Sequence, residues 1–126
     1  EDKVEPEYWD KLLQWVEENT KGLGKLDGIG SGGNINKLYK MSEIVGGEPM
    51  SYGQLKTLHV MLREMTYEQR ITELGLNADR ADVIVPACKI FRAIMKRAKI
   101  KDILVPQFGL SDGITRLLYE EYTALA

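Results

Sequence analysis

The segment of this chain best suited to binding an anion is a turn of five small or polar residues, Gly30, Ser31, Gly32, Gly33 and Asn34. It lies between the apolar run at residues 26–29 and a helical pattern that begins at Ile35. A strand that ends in glycines and passes directly into a helix leaves backbone N–H groups unpaired and uncrowded, and the helix N-terminus adds partial positive charge. The turn is therefore a candidate phosphate-binding loop. Such turns also occur simply as tight connections, and that alternative stays open.

Two residue types that often carry chemistry occur once each, His59 and Cys88. A single histidine excludes a histidine-based metal cluster or catalytic triad within the chain. Its place beside Leu55 and Leu62 on a helical face predicts a residue at the boundary of the core. Cys88 lies in an apolar helical segment without a second thiol, which predicts a small core residue rather than a nucleophile.

Composition narrows the classes of function. The 126 residues predict one domain spanning residues 1–126, and the absence of an initial methionine suggests a cut from something longer. Seventeen basic and 19 acidic residues without a basic stripe argue against nucleic-acid binding. No apolar run approaches the roughly 18 residues of a membrane span, and the lone cysteine fits a reducing compartment. We therefore expect a cytoplasmic protein that binds neither nucleic acid nor membrane.

Helical spacing of apolar residues dominates the chain on both sides of the glycine turn. It predicts helices over residues 6–21, 35–41, 51–65, 67–74 and 83–98, a last helix from Ser111, and strands at residues 26–29 and 102–106. The pairs Ser51 with Gln54 and Thr66 with Gln69 match the capping-box pattern, in which two side chains bond the first turn of a helix.

The most apolar helix, which ends at Ala98, contains a proline. Because Pro86 is tolerated only in the first turn of a helix, this helix is predicted to begin near Asp82 or Val83. Asp82 is then expected to cap the helix rather than to bind Mg²⁺. Its apolar residues cover more than one face, so the helix should be central and buried on most sides.

Two strands, each followed by a glycine-bearing turn and a helix, predict neighbours in a parallel or mixed sheet. The predicted fold class is therefore α/β and helix-rich, with a few strands and helices packed around them. Because two strands cannot bury the faces of five or six helices, we expect sequence outside this chain to complete the sheet. The alternative is a self-sufficient helical domain in which the two apolar runs are extended connectors.

Four stretches of sequence carry a resemblance to a known family. They are residues 28–35 around the glycine turn, residues 44–55, residues 75–87 with Arg80-Ala81-Asp82-Val83-Ile84 entering an apolar helix, and residues 103–113 with a Gly-Leu-x-x-Gly turn. In order and spacing, residues 25–120 resemble the exopolyphosphatase and guanosine-pentaphosphate phosphohydrolase (Ppx/GppA) family. The resemblance implies an actin-like (ribonuclease H-like) fold, in which two similar α/β domains flank a cleft. This chain would be the C-terminal part of the second domain.

The resemblance implies hydrolysis of a terminal phosphoanhydride in inorganic polyphosphate or guanosine pentaphosphate. In such a reaction a carboxylate orients the attacking water, backbone amides hold the phosphate oxygens, and Mg²⁺ offsets their charge. In this family the carboxylate base and the first phosphate loop precede the part that the chain resembles, so no catalytic residue or metal ligand is assigned within it. We expect the chain to be inactive alone and to need the rest of its own polypeptide, and a homodimer is a further expected partner.

Carried over residue by residue, the resemblance places a second phosphate loop at residues 30–34. Gly32 and Gly33 would bring the backbone close to a phosphate, and Asn34 would cap the helix or donate its amide. Arg80 resembles an arginine that relatives present to phosphate or a guanosine phosphate, the alternative being an ion pair with Asp79, Asp82 or Glu73. Two positions depart from the family pattern, since many relatives have Thr where Asn34 stands and Arg-Glu where this chain has Ser111-Asp112.

Two other functions stay open at this point. One is a helical interaction domain that kept the scaffold but lost catalysis. The other is a sugar or acetate kinase of the same architecture, which the signature from Arg80 to Ile84 fits poorly. A glycine- and serine-rich loop with an acidic residue, upstream of Glu1 in a longer protein, would favour the phosphatase over the interaction domain.

Overall fold

A computed structural model describes residues 5–106, 117, 119–121 and 123 of this chain. Between residues 5 and 106 the elements are α1 (Pro6–Thr20), β1 (Gly28–Ile29), α2 (Gly33–Met41), β2 (Met50–Ser51), α3 (Tyr52–Glu64), α4 (Tyr67–Thr72), α5 (Ala78–Ala98) and β3 (Asp102–Leu104). Residues 117, 119–121 and 123 are also helical. The predicted start of that helix at Ser111 and the turn at residues 109–113 lie outside the described residues.

The three strands form one mixed sheet in the order β1-β3-β2. β1 runs parallel to β3, with Gly28 opposite Ile103, and β2 runs antiparallel to β3, with Met50 also opposite Ile103. The predicted helix-rich α/β fold with a mixed sheet is confirmed, because the two apolar runs pair with each other and are not mere connectors. The sequence did not predict β2, since a two-residue strand is too short for an alternating pattern to be recognised.

The core lies between α5 and the elements that surround it. Among the described residues, α5 contributes the fully buried Ile84 and Cys88, α3 contributes Leu55 and Leu62, and α2 contributes Leu38. Burial of Cys88 confirms its predicted role as a core residue, and desolvation raises the pKa of its thiol to about 12. At neutral pH this thiol is therefore protonated and unreactive.

The predicted start of α5 is wrong by about one turn. The helix begins at Ala78, where the side chain of Asn77 accepts a hydrogen bond from the backbone N–H of Arg80 at 2.8 Å. Asp82 is therefore a residue of the helix and not its cap. Pro86 lies well inside α5, so the missing N–H leaves the carbonyl of Asp82 without its helical partner. The packing of a 21-residue helix through the core offsets that local cost.

Both predicted capping boxes are confirmed. Ser51 accepts from the N–H of Gln54 at 3.1 Å, and the Gln54 side chain accepts from the N–H of Ser51 at 2.8 Å. Thr66 and Gln69 repeat the same reciprocal pair at the start of α4. These contacts stabilise the first turns of α3 and α4, both of which pack against α5. The first turn of α5 lies beside the glycine turn of residues 30–34. None of the helices formed by the described residues is long and apolar enough to cross a membrane.

Candidate functional site

The glycine turn is anchored at its strand end. The backbone N–H of Gly30 donates to the carbonyl of Leu104 in β3 at 2.8 Å, which extends the parallel pairing of β1 by one residue. A Cβ on Gly30 would lie 2.9 Å from Cγ1 of Ile35 and 3.1 Å from Cγ2 of Ile103, so this position packs directly against the core. Only glycine fits there without moving buried side chains.

The helix end of the same turn is open. Gly32 precedes α2 with φ of 110° and ψ of 169°, a left-handed backbone that favours glycine. Within the described part of the chain, the backbone N–H groups of Ser31, Gly32, Gly33 and Asn34 form no hydrogen bond. Those of Gly32, Gly33 and Asn34 are donors that the N-terminus of a helix leaves without an intrahelical partner, and that of Ser31 lies just before them. The turn is thus held in place at its strand end and presents a cluster of available backbone amides at its helix end.

The guanidinium of Arg80 lies on this open end. Its Nη1 donates to Oδ1 of Asn34, across 46 positions of sequence. A Cβ on Gly33 would overlap Nη2 of Arg80, so the absence of a side chain at Gly33 makes room for the guanidinium. The structure therefore brings together all six residues that the sequence singled out.

The alternative for Arg80, an ion pair with a neighbouring carboxylate, is not formed. Among the described residues no salt bridge joins Arg80 to Asp79, Asp82 or Glu73. Asn77 instead holds the backbone of Arg80 at the start of α5, and Asn34 holds its side chain. A neutral partner leaves the positive charge of the guanidinium uncompensated at the turn.

This arrangement suits an oxyanion and lacks the groups that catalysis would need. Backbone amides, the positive end of α2 and a guanidinium all favour phosphate oxygens. The turn and Arg80 include no carboxylate that could orient a water molecule. No group of three histidine, cysteine or acidic side chains suited to a metal ion occurs within the described residues. The residues present here therefore do not fit an Mg²⁺ site.

His59 is buried, so its predicted place at the boundary of the core is wrong. Only 5% of the residue is exposed, and its Nδ1 lies 2.7 Å from Nη1 of Arg92. Nε of Arg92 also donates to the hydroxyl of Tyr52 at 3.2 Å. Burial and the positive charges of Arg92, Arg63 and Lys89 lower the pKa of His59 from its ordinary value of 6.5.

Arg70 is a structural residue that sequence analysis missed. Its guanidinium donates to three backbone carbonyls where α3, α4 and α5 meet, those of Leu62, Met65 and Ala81. The first two lie at the end of α3, where the carbonyl of Leu62 also accepts the backbone N–H of Met65 at 3.3 Å. No local pattern reveals such a contact, because its acceptors lie on two other helices.

Solved structures of similar fold include proteins from Cytophaga hutchinsonii and Aquifex aeolicus. An exopolyphosphatase from Cytophaga hutchinsonii matches with a TM-score of 0.74 at 21% identity, over 91% of this chain and 40% of that protein. The Aquifex aeolicus PPX-GPPA enzyme matches with a TM-score of 0.65 at 22% identity, over 91% of this chain and 42% of that enzyme. The chain thus spans less than half the length of these proteins, and identities this low establish the fold alone.

Curated proteins provide no significant match to the sequence. The family model described as the Ppx/GppA phosphatase family, however, matches residues 3–121, nearly the whole chain. The matched residues include all four stretches on which the resemblance rested. The chain belongs to the Ppx/GppA phosphatase family.

Proposed function

We propose that the protein containing this chain hydrolyses the terminal phosphoanhydride bond of inorganic polyphosphate or of guanosine pentaphosphate. Family membership supports a phosphatase, and the contact of Arg80 with the glycine turn is the observation that carries the proposal. In this proposal the amides of residues 31–34 and the remaining N–H groups of Arg80 bind phosphate oxygens. Asn34 positions the guanidinium, and its own amide donors are available to the same phosphate.

The proposed role of this site is electrostatic. Charge on the phosphate oxygens shifts as the bond to the leaving group breaks, and prearranged donors stabilise that charge without reorganising. The carboxylate that orients water and the ligands of Mg²⁺ would come from the rest of the same polypeptide. The isolated chain, the C-terminal part of the second domain, is then inactive. A cytoplasmic location and the absence of nucleic-acid and membrane partners remain parts of the proposal, and so does a homodimer.

The edge of the sheet supports a covering segment from the same polypeptide. In the part of the chain that the structure describes, β1 is an edge strand, and its Ile29 is 76% exposed. Beside it, an apolar cavity of about 320 Å³ opens between β1 and α5, lined in part by Phe91 and Ile94. Unpaired strand edges with apolar side chains are normally covered in native proteins. Because this chain spans less than half of its structural relatives, we propose that a strand from the remainder pairs with β1.

The test measures phosphate release by the complete protein and by two arginine variants. We expect turnover of polyphosphate or guanosine pentaphosphate with Mg²⁺, and none by residues 1–126 alone. Arg80→Gln should lower kcat/KM by about 100-fold, because it removes a charged donor from the reacting phosphate. The free energy of unfolding should hardly change, since among the described residues the side chain of Arg80 bonds to Asn34 alone.

The matched control is Arg97→Gln, which removes an exposed arginine that pairs with Glu17 away from the turn. This variant should keep full activity. No release from either substrate by the complete protein would refute the proposed reaction. Full activity in Arg80→Gln would refute the role of the turn, and turnover by the isolated chain would show that the catalytic groups lie within it.

A further inference from the structure

The first turn of α5 determines where the side chain of Arg80 begins. Arg80 is the third residue of the helix, and from there its guanidinium reaches Asn34 in the glycine turn. Backbone N–H groups in the first turn of a helix have no intrahelical acceptor, so the turn frays unless another group binds them. In the described part of the chain, the N–H of Arg80 has one acceptor, Oδ1 of Asn77 at 2.8 Å.

Asn77 is itself held by the residues that precede it. Leu76 is buried in the core, and its backbone N–H donates to the carbonyl of Arg70 in α4 at 3.3 Å. Gly75 has a φ of 68°, in the left-handed region, and its N–H donates to the carbonyl of Ile71 at 3.1 Å. The position of Asn77 is therefore set by α4 and the core.

The proline within α5 makes this cap more important than the cap of an uninterrupted helix. Because Pro86 has no N–H, the carbonyl of Asp82 lacks its helical partner, and the first turns of α5 have one hydrogen bond fewer to the rest of the helix. The hydroxyl of Tyr67 in α4 supports a carbonyl of the first turn at 3.3 Å. That contact does not bind the N–H groups of the turn, which depend on Asn77.

We propose that Asn77 is a positioning residue for the phosphate site of the glycine turn. By accepting from the N–H of Arg80, it keeps the first turn of α5 helical and the guanidinium against Gly33 and Asn34. Without this acceptor the turn frays and the guanidinium moves away from the phosphate donors of residues 31–34. The inference rests on the proposed function, in which Arg80 binds the phosphate.

Three variants of the complete protein test this role. Asn77→Ala should lower kcat/KM for the proposed substrate by about tenfold, because a small misplacement of a charged donor is costly. Asn77→Ser keeps a capping oxygen and should retain most of the activity. The matched control Ser51→Ala removes the cap of α3, at the other edge of the sheet from β1. It should lower the midpoint of thermal unfolding as much as Asn77→Ala does and leave kcat/KM unchanged.

A double-mutant cycle separates positioning from a general loss of stability. If Asn77 acts through Arg80, then Asn77→Ala should have little further effect on kcat/KM once Arg80→Gln is present. A tenfold loss that persists in the Arg80→Gln background overturns the proposal. So does a loss of activity in Ser51→Ala equal to that in Asn77→Ala.

A measurement that needs no turnover distinguishes a failure of this inference from a failure of the proposed function. The NMR signals of the Asn34 side-chain amide report its contact with Arg80. Asn77→Ala should shift these signals towards their positions in Arg80→Gln, whereas Ser51→Ala should not. Unshifted signals in Asn77→Ala overturn the positioning role. Shifted signals with full activity in both Asn77→Ala and Arg80→Gln support the positioning of Arg80 and refute the proposed role of the turn in hydrolysis.

Discussion

Arg70 and Arg80 lie in neighbouring parts of the molecule, but their guanidinium groups differ in the number and kind of their hydrogen-bond acceptors. Arg70 lies at the junction of α3, α4 and α5, and donates to three backbone carbonyls. Arg80 lies at the glycine turn, and its side chain has one partner among the described residues, the amide of Asn34. A guanidinium has five N–H donors, so Arg80 retains donors for a ligand, whereas most of those of Arg70 are occupied.

The comparison separates a structural arginine from a candidate ligand-binding one. Neither exposure nor charge distinguishes them, since both are partly buried and both are positively charged. The difference lies in their acceptors. Backbone carbonyls that cannot move hold Arg70 in place, whereas the partner of Arg80 is a side chain on the element that would bind the phosphate. Removing Arg70 should therefore affect folding, and removing Arg80 should affect function.

The largest effect on stability is expected from Arg70→Met. It leaves three backbone carbonyls without their charged donor, which should lower the free energy of unfolding by about 2–3 kcal/mol. Urea denaturation of the purified chain, followed by circular dichroism, measures the loss. The matched control Arg97→Met removes an exposed ion pair and should cost less than about 0.5 kcal/mol. Equal losses in both variants would contradict the structural role of Arg70.

Two glycines of the turn test whether its two ends differ as described. Gly30→Ala forces a methyl group against Ile35 and Ile103, and should lower the free energy of unfolding by about 1–2 kcal/mol. In Gly33→Ala the new methyl group meets only the flexible end of the Arg80 side chain, which can move. The free energy of unfolding of this variant should therefore change little. The displaced guanidinium should nevertheless reduce the kcat/KM of the complete protein for the proposed substrate.

Stability and activity of both alanine variants are measured side by side. The expected pattern is a stability loss in Gly30→Ala and an activity loss at unchanged stability in Gly33→Ala. If Gly33→Ala keeps full activity, the contact of Arg80 with the turn is not needed for function. If Gly30→Ala is as stable as the unchanged chain, the strand end of the turn is looser than its contacts indicate.

The smallest effect on stability is expected from a change of pH. It arises at His59, whose Nδ1 contacts Arg92. Because the folded pKa of His59 lies below 6.5, the unfolded chain binds a proton at a pH where the folded chain does not. Stability should therefore be unaffected by His59 above about pH 7 and should fall as the pH decreases through 6.5. Urea midpoints between pH 7.5 and 5.5 measure this slope, which His59→Gln should remove. A slope that persists in that variant would assign the titration to another group.

Local patterns predicted the parts of this fold that neighbouring residues stabilise. The capping boxes at Ser51 and Thr66 need only a side chain three residues away, and the glycine turn was recognised from the strand and helix that flank it in the sequence. The start of α5 was misplaced because Pro86 appeared to require an early position, whereas Asn77 caps the helix earlier and core packing tolerates the proline.

The residue types, their order and the glycine turn were sufficient to identify a helix-rich α/β fold, its family resemblance and the candidate residues from 30 to 34 with Arg80. Their contacts depend on residues far apart in the chain. The pairing of Arg80 with Asn34, the three carbonyls around Arg70 and the burial of His59 against Arg92 all arise where separate helices meet. Sequence periodicity shows which face of a helix is apolar, but the angle and register at which two helices pack determine which polar groups come within hydrogen-bonding distance.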